Sequence, residues 1–192
     1  MPASTVNAPL IDLAQERATE GGFTIDFRVG SATELPWLDG SFDVCCMPEL
    51  LEHVAEWEKC LLESVRCLRP GGALYLTTSN KLCPVQQEFN LPLYSWYPGF
   101  LKRRYERLAV TTRPEIVNHA TCPAVNWFSF YQLRRFLAPH GFRCLDRFDV
   151  LSHVASDPGR QLMLALIRHV PGFRLLGQMM TQGTVILAIR DR

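Results

Sequence analysis

Residues 29–54 read VGSATELPWLDGSFDVCCMPELLEHV, and the chain goes on to RCLRPGG at 66–72 and ALYLTTSN at 73–80. Phe42–Met47 is short and apolar, the composition of a buried strand. Glu56–Leu68 carries helical spacing and ends at Pro70-Gly71-Gly72, residues that cannot continue a helix. Ala73–Thr78 is a second apolar strand. Strand, helix, strand at these lengths predicts a parallel pair joined by a right-handed crossover.

Working upstream, Leu10–Thr19 places Leu10, Ile11, Leu13, Ala14 and Ala18 on one helical face, closed by Gly21-Gly22. FTIDFRV at 23–29 alternates apolar and polar side chains and predicts a strand. Downstream the alternation of helices and strands breaks over 80–126. That segment holds prolines 84, 92, 98, 114 and 123 with Phe89, Tyr94, Trp96, Tyr97, Phe100 and Tyr105. It is too long and too apolar for an idle loop, and Gly99–Val110 suits a short amphipathic helix. A helix at Phe128–Ala138, a strand at Phe142–Val150, a helical stretch at Gly159–Met180 broken at Pro171-Gly172 and a strand at Gly183–Arg190 complete the pattern.

The chain of 192 residues reads as one domain, with 80–126 as an insertion within it. Its 47% hydrophobic and 20% charged residues suffice for a core, and the formal charge of +1 gives no general attraction to nucleic acid. DNA is therefore not expected as a partner, and RNA is disfavoured. The seven cysteines form no C-x-x-C pair, so buried thiols in a reducing compartment are expected instead of a zinc site or a disulfide framework. The first residues, MPASTVNAPL, lack the basic and apolar regions of a secretory signal, and no run is apolar enough to span a bilayer. A soluble, cytoplasmic protein is the expectation.

The succession of LPW, SFDV, ELLEHV, RPGG and ALYLTTSN resembles the second half of class I S-adenosylmethionine-dependent methyltransferases, of the type 11 or ubiquinone-biosynthesis O-methyltransferase kind. The resemblance implies a Rossmann-like α/β sheet flanked by helices, with strands at 23–29, 42–47, 73–78, 142–150 and 183–190 standing for strands three to seven. The last of these would run antiparallel between the two before it. Residues 80–126 would form the acceptor lid, and S-adenosylmethionine would be the cofactor.

Against the family pattern, no G-x-G-x-G turn occurs in these residues, and the ribose-binding acidic position falls near Thr5, where MPASTVNAP has neither Asp nor Glu. Ser31 stands where relatives commonly have Asp. The expectation is an N-terminally truncated methyltransferase domain, inactive alone, whose exposed sheet edge admits a homo- or hetero-oligomeric partner.

For the site, the resemblance implies cofactor contacts from Ser31, Ala32, Thr33, Met47 and Pro48. Glu49, Glu52 and His53 stand at i, i+3, i+4, one face of a helix beginning after the strand. PELLEHV resembles the E-x-x-E-H segment of ubiquinone-biosynthesis and small-RNA 3′-end methyltransferases, which implies His53 as base and the three residues as ligands of a divalent metal. A metal-free role beside the acceptor stays open, as does a helix-dipole role for the glutamates. Further ligands would be needed, and His119 and His153 are candidates.

Tyr94, Trp96, Tyr97 and Trp127 are expected to wall a small or lipid-like acceptor, with oxygen favoured as the methyl acceptor. Lys102, Arg103, Arg104 and Arg107 form either a solvated helix face or an anion site. The run MLALIRHVPGFRLLGQMM at 163–180 reads as core helix, with peripheral membrane contact as the other reading. The competing function is a non-catalytic methyltransferase-like module that binds a partner through its sheet edge.

Overall fold

The computed structural model describes residues 8–85, 88–118, 124–154, 157–170 and 172–191. A four-stranded sheet carries the fold, built from β1 (Phe42–Pro48), β2 (Leu68–Ser79), β3 (Phe142–Asp146) and β4 (Gly183–Arg190), in the order β1-β2-β4-β3. β1 and β2 run parallel, with Cys45 opposite Leu74 and Met47 opposite Leu76. β4 is antiparallel to both neighbours, with Leu76 opposite Ile186 and Cys144 opposite Ala188. The last strand thus lies between the two before it, as the resemblance implied.

Two expected strands differ. Residues 23–29 form no regular element and pair with no strand among the described residues, so four strands are present where five were expected. Alternation alone does not make a strand when no edge is there to receive it. β3 stops at Asp146, because Asp146 Oδ1 accepts from the amides of Phe148 and Asp149 and turns the chain into helix α5 (Arg147–Val154).

The remaining helices are α1 (Ala8–Glu20), α2 (Trp57–Cys67), α3 (Gly99–Thr111), α4 (Phe130–Leu137), α6 (Pro158–His169) and α7 (Phe173–Met179). β2 begins earlier than expected, since RPGG lies inside the strand. Gly71 takes a φ of +79°, and a Cβ on Gly72 would meet Arg69 O at 2.9 Å and Asp43 O at 3.0 Å. The pairing register shifts here, between Phe42 and Val44.

The main core joins Leu51, Leu61, Leu68, Leu74, Leu76, Phe128, Phe130, Leu133, Leu137 and Ile186 between the sheet and helices α2 and α4. Each such side chain stabilises the fold by at most about 1.5–3 kcal/mol through burial. A second, smaller core of Phe89, Tyr94, Ala109, Val117, Ala124 and Trp127 holds the 80–126 insert together.

Two expectations of burial fail. Val44 is 57% exposed and Cys46 is exposed, because no described residue covers the outer side of β1. Cys60, Cys67 and Cys83 are buried thiols, whereas Cys122 lies outside the described residues. The 163–180 stretch is mostly not core: Leu164 is buried, but Met163, Leu166, Phe173, Leu175, Leu176 and Met180 are exposed. No helix among the described residues is long and apolar enough to cross a membrane.

Candidate active site

Ligands of open α/β sheets bind beyond the carboxyl ends of the strands, and the polar side chains concentrate at that end here. β1 leaves the sheet at Pro48, and Glu49 takes a left-handed φ of +46° while its amide donates to Thr77 O at 2.9 Å. A non-glycine residue in that region carries backbone strain. The turn delivers a single 3₁₀ turn at Leu51–His53, and α2 starts only at Trp57. The expected helix over Glu49, Glu52 and His53 is therefore absent. Glu49 is exposed, Glu52 is fully buried and His53 is half-buried, so the three do not share a face.

Glu52 is tied down from three sides. Its Oε2 accepts from Thr78 Oγ1 at 2.8 Å, and its backbone carbonyl accepts from the amides of Val125 at 2.8 Å and Asn126 at 3.0 Å. Asn126 Nδ2 adds a 2.7 Å bond to Val54 O, so the end of the insert is strapped onto the 3₁₀ turn. Burial pushes the Glu52 carboxyl up to about 8. The adjoining Glu49 carboxyl pushes the same way through a shared hydrogen bond and its charge, and Thr78 and the Glu52 amide pull against them.

The insert supplies the residue that sequence reasoning missed. Glu88 brings a carboxylate oxygen to within 4.8 Å of ligand atoms of Glu52 and His53, and its Oε1 accepts from Ser79 Oγ at 3.4 Å. Nothing in the local pattern of 80–126 marks Glu88, because Glu52 and His53 lie more than thirty residues before it in sequence. Glu49 is not part of this trio. His119 lies outside the described residues, and so does the side chain of His153.

Glu52 Oε1 and His53 Nδ1 are buried without a hydrogen-bond partner. Two carboxylates and an imidazole with such orphaned atoms fit a divalent cation, and they equally fit a proton-transfer site for a hydroxyl.

The residues expected at the cofactor are split. Ser31 Oγ and Thr33 Oγ1 lie 2.8 Å apart in the loop before β1, and Ala32 packs against the main core. Met47 is 5% exposed, and its sulfur accepts from Ser64 Oγ at 3.3 Å beneath α2, which turns it into the core. Pro48 is exposed at the strand end. The glycine turn that would approach the cofactor has no counterpart among the described glycines, and one of the five contacts is committed to packing.

Of the four expected acceptor residues, the structure joins three. Tyr94 is fully buried and stacks on Phe89 with centroids 4.0 Å apart, and Trp127 and Tyr97 pack against Tyr94 at 5.4 and 5.3 Å. Trp96 stands apart, 52% exposed, with its Nε1 donating to Leu82 O.

Residues 3–76 match a family model described as a methyltransferase domain. That match and the sheet order make the chain similar to class I S-adenosylmethionine-dependent methyltransferases over residues 3–76 and in fold. The chain is 34% identical over 106 residues to a mitochondrial 2-methoxy-6-polyprenyl-1,4-benzoquinol methylase of Leishmania donovani, covering 54% of this chain and 36% of that protein. It is 28% identical over 161 residues to a ubiquinone biosynthesis O-methyltransferase of Brucella anthropi, covering 81% of this chain and 54% of that one. The chain thus spans about a third to a half of the length of these curated relatives.

Among solved structures, the YcgJ protein of Bacillus subtilis superposes with a TM-score of 0.55 at 15% identity, over 97% of this chain and 80% of that one. An S-adenosylmethionine-dependent methyltransferase of Mesorhizobium loti gives 0.52 at 16%, over 93% and 75%. At these identities the likeness concerns the fold.

Proposed function

We propose that this methyltransferase-like chain forms the acceptor side of a site for methyl transfer to a hydroxyl of a small or lipid-like molecule, and that the chain by itself is inactive. The observation that carries the reading is the convergence of Glu52, His53 and Glu88 at the end of β1, with buried, unpartnered atoms on Glu52 and His53.

Methyl transfer from a sulfonium needs no protein nucleophile. It needs the acceptor held in line and, for a hydroxyl, a base or a cation that makes the oxyanion accessible. His53 would receive the hydroxyl proton, and Glu52 and Glu88 would orient it or share a divalent cation with it. The similarity to ubiquinone biosynthesis O-methyltransferases supports oxygen as the acceptor atom. The incomplete cofactor contacts support inactivity of the chain alone, so S-adenosylmethionine enters as the family cofactor only.

Calorimetric titration of the folded chain with S-adenosylhomocysteine tests the inactivity. No heat is expected. Micromolar binding, about −8 kcal/mol, would overturn it. Manganese binding followed by electron paramagnetic resonance tests the trio; a signal indifferent to Glu88→Gln would remove Glu88 from it.

The second reading, a non-catalytic module that takes a partner strand, is favoured by the place of β1 at the end of the sheet, paired among the described residues with β2 alone.

A further inference from the structure

α3 carries Lys102, Arg103, Arg104 and Arg107 in one run, yet the fold treats Lys102 differently. The three arginines are exposed, and Lys102 bends inward over the second core. Its Nζ donates to Ser95 O at 2.9 Å, lies 4.3 Å from the centroid of Trp127 and 5.7 Å from that of Tyr94. It forms no ion pair among the described residues.

An ammonium has three donors, and taking one out of water is costly unless it is paired. Here one donor meets a neutral carbonyl and the ring faces supply a weaker attraction. Two further donors stand beside it with no partner. They are Ser95 Oγ, in a residue 3% exposed, and Trp127 Nε1, in a residue 8% exposed.

Neighbouring charge compensates only in part: burial, the larger effect, lowers the Lys102 ammonium from its ordinary value, while Lys81 acts on it with like sign and Glu106 with opposite sign. The one acceptor that Lys102 Nζ meets is the neutral Ser95 carbonyl, while Ser95 Oγ and Trp127 Nε1 remain without a partner. Buried polar groups are almost always satisfied, so the arrangement has the shape of a site whose acceptor is an anion.

The place is also connected to the candidate active site. Trp127 directly follows Asn126, whose amide donates to Glu52 O at 3.0 Å. On the other side the rings of Phe89, Tyr94 and Trp127 offer apolar surroundings. One inward cation suits a single anionic group, whereas a polyanion would be met by the exposed arginines.

We propose that Lys102, Trp127 and Ser95 form an anion-receiving subsite that takes the carboxylate or phosphate of an otherwise apolar, aromatic acceptor. The proposal rests on the hydroxyl-methylation reading and names the substrate class of the same site. Holding the anionic end at α3 fixes which part of the acceptor reaches Glu52, His53 and Glu88.

The test uses the chain without cofactor, so a failure of methyl transfer does not touch it. The four tryptophan indole N–H signals are followed by ¹H–¹⁵N correlation, with Trp127→Phe giving the assignment. Benzoate and phenyl phosphate are titrated separately, with benzyl alcohol as the neutral control. The Trp127 signal is expected to shift saturably with at least one anion and not with the alcohol. The tighter of the two distinguishes a carboxylate from a phosphate ligand. Lys102→Met is expected to weaken binding about tenfold and Lys102→Arg to restore most of it.

An unmoved Trp127 signal in a folded spectrum would overturn the subsite. So would an equal response to the alcohol, or unchanged affinity in Lys102→Met. Should Lys102→Met fail to fold, Ser95→Ala decides: weaker anion binding supports the subsite, and unchanged affinity overturns it.

Discussion

Thr78 Oγ1 donates to Glu52 Oε2 at 2.8 Å, and neither side chain is reached by solvent. The bond links the end of β2 to the 3₁₀ turn that follows β1, two segments neighbouring in the sheet but twenty-six residues apart in the chain. Replacing Thr78 by Val keeps the shape and removes the donor. A buried carboxyl left with one partner fewer costs about 1–3 kcal/mol, to be read as a lowered midpoint in urea.

The same carboxyl gives the chain a pH-dependent stability. Its folded pKa, raised by burial to about 8, lies above the ordinary glutamate value of 4.5. The folded state therefore binds more protons than the unfolded state between these values. Stability is complete below the lower value and is lost as pH rises through the upper one. Denaturation in chelator-treated buffer should show this fall, and Glu52→Gln should flatten it. A profile unchanged by the substitution would show that Glu52 is not its source.

Asp146 is the second buried carboxylate whose partners matter. It is fully buried and accepts from Arg174 Nε and Gln178 Nε2, both at 2.8 Å, which clamps α7 onto the end of β3. Arg174→Met strands that charge and should destabilise the fold by about 3–5 kcal/mol in thermal or urea unfolding. Asp146→Asn with Arg174→Met should recover part of the loss, because the stranded charge is then gone.

The open edge of β1 should govern association. Among the described residues β1 pairs only with β2, so its other edge is open to a strand. Exposed Val44 and Cys46 share one uncovered face beside that edge. Val44→Lys places a charge on it and should lower the sedimenting mass of any self-associated form without moving the melting temperature. Equal association in the variant would place the contact elsewhere.

Packing around the trio can be probed at Leu51, which is fully buried directly before Glu52. Leu51→Ala opens a cavity under the 3₁₀ turn and should cost about 2–5 kcal/mol. The Manganese affinity of the Glu52, His53 and Glu88 trio should fall with it, since the turn that carries two of the three loosens.

The residue order by itself determined the strand–helix–strand unit at 42–79, and the resemblance carried by LPW, SFDV, ELLEHV and RPGG implied the antiparallel last strand. The unit is local: apolar runs of strand length, a helix with one wet face and a proline-glycine stop are written in consecutive residues. Tertiary structure decided the rest. FTIDFRV has the alternation of a strand but receives no pairing among the described residues. Glu49, Glu52 and His53 have helical spacing, but the left-handed turn at Glu49 sends the first outward and the second inward. The place of Glu88 beside Glu52 and His53 and the inward turn of Lys102 over Trp127 could not be read from any short window, because the partners come from distant segments. Periodicity reports what a segment prefers. Which polar groups are shut away together, and so forced to find a partner, depends on how distant segments pack.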